Sequence, residues 1–390
     1  MNHLENVTVG LLPAPEMPEV LARRIVDSLP EIFSHLVEGD TEWNVEIVVD
    51  SLTGAAEDVQ EIMNEAEILR DRYNWDYAIC LTDLPIYSGK HLVLADANPA
   101  TGVAQISLPA FGAYPMKNRV KQAIIQMVSE LYYGNFQDHP VKMAQKGIGP
   151  LSQTKQRSLH QILLKSLRFS SIRRIEAPKD MKNVSIRFIV IPQLNSRFRV
   201  LLGMTYANRP WTILPSFKSV VAIAFGTGAY GLIFTTLWKL GVSYNIYRFL
   251  GLNLAAVISM VLWIILSHDL WETPRGTNSP RMRRIYNNTT ILTLAVAVLI
   301  YYAVLFVLFL IAVSVFVPPS LYGEATGLEG KVTVLNFIRL AWLVTSVATL
   351  AGAIGAGMEN GDRVRNVTYG YRQQQRYAEM RKAQEDQDHS

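Results

Sequence analysis

The sequence predicts an α/β or α+β cytoplasmic domain followed by an all-α domain of four transmembrane helices, and three observations carry that prediction. Residues 1–134 alternate short β-branched runs with amphipathic stretches, the pattern of a layered α/β core. Ser219 to Trp238, SVVAIAFGTGAYGLIFTTLW, runs twenty residues without a charge or a proline, long enough as a helix to cross a bilayer's hydrocarbon core. Three further apolar runs follow it: Phe249 to Ser267, Thr289 to Val317 and Leu340 to Gly357.

In the first part, Asn6 to Leu12 reads as a buried strand stopped by Pro13 and Pro15. Glu16 to Val37 spaces Val20, Leu21, Ile25, Leu29, Ile32, Phe33 and Leu36 as one helical face, with Pro30 as a breaker inside it. Val45 to Asp50 is a second strand, and Glu57 to Tyr73 a second amphipathic helix whose acidic first turn suits the helix dipole. Tyr77 to Thr82, His91 to Ala97 and Val103 to Leu108 predict three more strands, joined by turns bearing Asp, Pro and Gly. Lys117 to Gly134 closes the unit as an apolar-faced helix ending at glycine.

Charge divides the chain further. Residues 1–134 hold 8 basic against 20 acidic side chains, residues 135–218 hold 15 against 3, and residues 219–390 hold 14 against 10. An acidic domain (1–134), a basic juxtamembrane connector (135–218), four spans (219–357) and a polar tail (358–390) are therefore expected. In the connector, Ser152 to Phe169 predicts a basic amphipathic helix, and Asn183 to Ile191 with Arg197 to Met204 a β-hairpin around PQLNS. Basic side chains beside a bilayer gain about 1 kcal/mol each from anionic head groups, which marks Lys165, Arg168, Arg173 and Arg174 as candidate lipid contacts. Docking on the acidic domain is the other reading, and both are simpler than nucleic-acid binding.

The spans are expected at about 219–238, 249–267, 289–317 and 340–357. The link Asp269 to Asn288 carries Arg275, Arg281, Arg283 and Arg284, and the tail carries Arg363, Arg365, Arg372, Arg376, Arg381 and Lys382. The positive-inside rule thus puts the acidic domain, that link and the tail in the cytoplasm of a plasma-membrane protein. Glu16, Glu19, Arg23 and Arg24 interrupt any apolar core near the N-terminus, so no cleavable signal is expected. Trp211, Trp238, Trp271, Tyr286, Tyr322 and Trp342 fall where an interfacial aromatic belt would lie.

Few motifs carry chemistry. The single cysteine, Cys80, excludes an internal disulfide and a multi-cysteine metal site, and its apolar strand marks it as an inert core residue. Gly226, Gly228 and Gly231 spell G-x-G-x-x-G, but inside a span that spacing serves close helix packing rather than a dinucleotide. Ala351 to Gly357 points the same way, toward a compact bundle or self-association. Asp83, His91, Asp96 and Asn98 cluster near strand ends, where α/β sheets build ligand pockets; turn and capping roles are the alternative. Neither a P-loop nor a serine–histidine–acid arrangement is present, and the seven histidines show no ligand spacing.

WDYAICLTDLPIY, HLVLADANPATGVAQISL and RVKQAIIQMVSELYYG together resemble the catalytic half of metzincin-type zinc peptidases, most of all archaemetzincins, over residues 75–134. The resemblance implies a zincin-like fold whose last helix would bear H-E-x-x-H-x-x-G. Set against Gly134, the motif positions hold Met127, Val128 and Leu131, which neither bind zinc nor activate water. Glu130, the one carboxylate on that helix, is expected on its solvated surface. No catalytic residue, metal ligand or cofactor is therefore predicted. The expected role is a non-catalytic binding, regulatory or scaffold module at the membrane, in contact with the bilayer and a protein partner. A transporter or channel subunit and a membrane-anchored hydrolase or metalloenzyme with an atypical site are the alternatives.

Overall fold

The computed structural model describes residues 5–51, 53, 59–137, 171–177, 183–191, 193–273, 280–328, 331–356, 365, 371–372 and 375–376. The chain folds as two units, Met1–Asn208 with Gly370–Ser390, and Arg209–Tyr369.

The first unit is built on one mixed sheet. Its strands are β1 (Glu5–Pro13), β2 (Thr41–Ile47), β3 (Tyr77–Thr82), β4 (Ile86–Ser88), β5 (His91–Asn98), β6 (Val103–Ser107), β7 (Ser171–Glu176) and β8 (Ile186–Ile191). They lie in the order β2-β1-β3-β6-β5-β8-β7, with β4 folded back on β5. The first four are parallel, in registers such as Leu11 with Ile47 and Cys80 with Gln105. The strands β5, β8 and β7 continue the sheet antiparallel. Full burial explains why β3 reads as a continuous apolar run rather than an alternating one.

Helices cover both faces. The helix α3 (Val59–Arg72) packs its Val59, Ile62, Met63, Ala66 and Leu69 on one face, over Ala78, Cys80 and Val103. On the other lie α1 (Met17–Ile25), α2 (Leu29–Leu36) and α4 (Met116–Gln137), with α4 in contact with both α1 and α2. Pro30 stands in the first turn of α2, where a missing N–H costs nothing, so the expected single helix is split by the 3-10 turn Val26–Ser28. Gly10 lets the Trp75 ring lie flat on β1, since a Cβ there would sit 1.8 Å from it.

Two expectations change here. Arg197 to Met204 is not the second strand of a hairpin: Gln193–Ala207 is a helix, α5. The burial of Ser196, Val200, Met204 and Ala207 follows a helical period, which the apolar run of RFRVLLGM concealed. The expected hairpin does not form, and β8 pairs instead with β7, Ile172 opposite Val190. The sheet thus extends past residue 134 into the basic stretch. Residues 152–169, expected as a basic amphipathic helix, lie outside the described residues.

The second unit is helical, and four of its segments are long and apolar enough to cross a membrane: Pro210–Gly231, Ile246–Ser267, Pro280–Phe316 and Val334–Ala356. Its helices are α6 (Lys218–Gly231), α7 (Thr235–Ser243), α8 (Ile246–Ser267), α9 (Pro280–Phe316), α10 (Pro319–Thr326) and α11 (Val334–Ala356). The run expected as one helix over 219–238 is broken after Gly231, and Trp238 Nε1 donates to the freed Leu232 carbonyl at 3.0 Å. Its other end is prolonged by a 3-10 segment, Pro210–Phe217. The fourth span packs on the other three. Small residues are the seams: a Cβ on Gly352 of the fourth span would meet the Tyr301 hydroxyl at 2.6 Å, and one on Gly228 of the first the Phe309 ring at 2.2 Å. Half of the expected aromatic belt is used internally, since Trp238, Tyr286 and Tyr322 are buried while Trp211 and Trp271 are exposed.

Candidate functional site

The strand order creates one crevice by topology alone. From β1 the chain passes to β2 over the face of α1 and α2, then to β3 on the other side of β1 over the face of α3. Successive connections therefore place β2 and β3 on opposite sides of β1, and the strand order reverses between the carboxyl ends of β1 and β3, the crevice position at which open α/β sheets bind ligands. The residues there are Pro13 to Glu16 and Thr82 to Leu84.

Asp83 follows β3 directly and is fully buried. Thr82 Oγ1 accepts from the Leu84 amide at 3.1 Å and fixes the turn that aims the carboxylate. Both oxygens are taken by cations from the far end of the chain. Arg376 donates from Nη1 to Oδ1 at 2.9 Å and from Nη2 to Oδ2 at 3.2 Å, and from Nη2 also to the Pro15 carbonyl at 3.3 Å. Arg372 Nη1 lies 3.4 Å from Oδ2 and donates to Glu16 Oε2 at 2.6 Å, while its Nη2 donates to Asn208 Oδ1. Burial alone pushes Asp83 up, but Arg376 and then Arg372 outweigh it and hold the carboxyl below the usual carboxylate range.

Glu16 stands at the entrance with φ 73 and ψ −112, a conformation that costs a non-glycine residue about 1–3 kcal/mol. Strain of this kind at a crevice marks a constrained side chain, and the carboxylate it holds is the one that meets Arg372.

Of the four residues singled out from the sequence, the structure places only Asp83 in this crevice. Asp96 belongs to a ladder across three strands on the α3 face: Gln105 on β6 donates to its Oδ2 at 3.0 Å, and Arg187 on β8 donates to Oδ1 at 2.6 Å and Oδ2 at 3.1 Å. Both members of the ion pair are buried. Burial pushes Asp96 up, and the single guanidinium with Gln105 does not reverse it. Asn98 sits at the far end of β5, opposite Val103 at the start of β6, and accepts from the Ala100 amide and from Ser185 Oγ. His91 begins β5, half-buried, beside Ser88 of β4.

The residues expected at lipid divide. Lys165 and Arg168 lie outside the described residues. Arg173 and Arg174 are on β7, and Arg174 donates to Glu130 Oε2 at 3.2 and 3.3 Å. Glu130 itself is only 2% exposed and accepts from Gln126, so it is a core residue of α4 and not the solvated one expected. Met127, Val128 and Leu131, the positions of the metzincin motif, are each fully buried. Cys80 is buried against the Ile62 carbonyl, and desolvation pushes its thiol up, which removes the thiolate that reactivity requires. Among the described residues no group of three His, Cys, Asp or Glu side chains is placed to hold a metal.

Sequence reasoning missed Glu16, Asn208, Arg372 and Arg376. The available signals were the four-residue spacing of the two arginines, which puts both on one side of a helix, and an acidic domain lacking a cation near Asp83. No family model, curated protein or solved structure matches this chain.

Proposed function

We propose that this chain is a multi-pass plasma-membrane protein whose α/β unit is a non-catalytic binding module, with the crevice at the carboxyl ends of β1 and β3 as its ligand seat. The observation that carries the reading is Asp83: a fully buried carboxylate at a topological switch point, held by guanidinium groups. A charge so placed is costly without a counter-ion, so the seat is built for a cation. Four helices of spanning length and composition support the membrane assignment. Arg281, Arg283 and Arg284 before the third apolar core, with Arg365 after the fourth, support a cytoplasmic α/β unit and tail. The reading of this unit as a zincin-like domain that has lost its metal rests on the resemblance of residues 75–134 alone.

Thermal unfolding of the detergent-purified full-length chain carrying Arg372→Gln and Arg376→Gln, with methylguanidinium as probe, tests the seat. Stabilisation that Asp83→Asn abolishes is expected; indifference to the probe rejects the reading. Orientation is checked by protease treatment of inside-out vesicles, which should remove the α/β unit, whereas protection there would reverse the topology.

One observation favours a transporter subunit as a second reading: the apolar run 219–238 is broken at Leu232–Phe234 after three glycines, and transporters use broken apolar helices at their binding sites. Solute or ion flux in proteoliposomes above that of empty vesicles would establish it, and no flux would leave anchoring as the bundle's role.

A further inference from the structure

We propose that the crevice is a receptor for a helical segment carrying two arginines four residues apart, and that Arg372 and Arg376 occupy it as a replaceable ligand supplied by the chain itself. This deepens the reading of the crevice as a cation seat and rests on it.

Three observations specify the ligand. The acceptors come from three separate stretches: Pro15 and Glu16 after β1, Asp83 after β3, and Asn208 after α5. They are set for two guanidinium planes, one gripping both oxygens of Asp83 and the other spanning Asp83, Glu16 and Asn208. A planar fork satisfies such a set, while an ammonium, a point donor, does not. Second, Tyr371–Arg372 and Gln375–Arg376 are helical, and both arginines, four positions apart, reach Asp83. Third, among the described residues both cations paired with Asp83 are those of residues 370–390, and their side chains are only 3% and 6% exposed. The pairing is therefore a buried, geometrically specific recognition of a peripheral segment rather than a surface charge contact, which would contribute little.

A ligand carried on the same chain competes intramolecularly, so an outside segment of the same chemistry reaches the crevice only by displacing the tail. The site is thereby self-regulated: neutralise or withdraw the tail and affinity for the external segment rises.

The test uses the full-length chain in detergent and a fluorescent peptide of residues 365–382, read by polarisation. The peptide is expected to bind the Arg372→Gln, Arg376→Gln protein at least tenfold more tightly than the unaltered protein. Adding Asp83→Asn to that protein should weaken binding at least tenfold, and a peptide with both arginines changed to glutamine should bind neither. Equal binding to the two proteins, or binding indifferent to Asp83, overturns the proposal. Should the glutamine variant not fold, Arg372→Lys with Arg376→Lys keeps both charges, removes the fork and is expected to raise peptide affinity in the same direction. A tail-neutralised protein that ignores the peptide yet is stabilised by methylguanidinium through Asp83 rejects the peptide receptor and leaves the cation seat standing; response to neither rejects both.

Discussion

Arg376 grips both carboxylate oxygens of Asp83, at 2.9 and 3.2 Å, across 293 positions of sequence, and Asp83 is fully buried beneath it. The neighbouring buried aspartate, Asp96, also has a two-point contact with an arginine, Arg187, yet the two carboxyls are driven in opposite directions. Burial raises both; two guanidiniums overcome it at Asp83 and one does not at Asp96.

That contrast gives opposite acid responses. The folded-state value of Asp83 lies below its ordinary 3.8, so its stabilisation is complete above that value and is lost as pH falls through the folded value. Asp96 is raised above 3.8, so its contribution is present below 3.8 and is lost as pH rises through the folded value. Urea unfolding of the α/β unit, followed by hydrogen exchange of the β3 amides between about pH 3 and pH 7, should show Asp83→Asn flattening the acid loss of stability. Asp96→Asn should make that loss steeper. The same sign for both would show that the second guanidinium at Asp83 does not decide the balance.

Breaking the Asp96–Arg187 pair should be severe. Arg187→Ala leaves a buried carboxylate without its cation, a change expected to cost about 3–5 kcal/mol, whereas Asp96→Leu with Arg187→Met removes both charges and should recover much of the loss. A double variant as unstable as the single one would point instead to lost packing of the arginine stem.

The glycines of the first span differ by what faces them. Gly228→Ala puts a methyl group against Phe309 and Ala348, and overpacking there should destabilise the bundle by about 1–3 kcal/mol. Gly226 has nothing within 4 Å, so Gly226→Ala should be neutral or stabilising by up to about 1 kcal/mol through helix propensity. Thermal unfolding in one detergent, the two variants side by side, reads the difference.

Trp238→Phe should loosen the break that follows the first span. It keeps the ring stacked on Tyr322, with centroids 5.8 Å apart in the native protein, but leaves the Leu232 carbonyl without its donor, at a cost of about 1–3 kcal/mol. Faster exchange confined to the amides of Thr235–Ser243 is the expected signature; an unchanged protection pattern would mean that stacking alone holds the segment.

What the sequence determined by itself was local. The apolar runs of β1, β3 and β6, the helical face over Val59–Arg72 and the charge-free stretches of the spans all follow from periodicities of two, of 3.6 or of unbroken hydropathy, which any few neighbouring residues display. The same reading put Asp83 near a strand end. Tertiary structure decided the rest. Whether Arg197–Met204 is a strand or a helix turned on which face it buries, because a short apolar run satisfies both periods. Glu130 reads as a surface residue on α4 until Arg174 of β7, 44 positions on, lies beside it. Arg372 and Arg376 read as two more charges of a basic tail, since an ion pair leaves no trace in the residues between its partners. Only the order of the strands, which puts the ends of β1 and β3 side by side and opens a crevice between them, made them the ligands of Asp83.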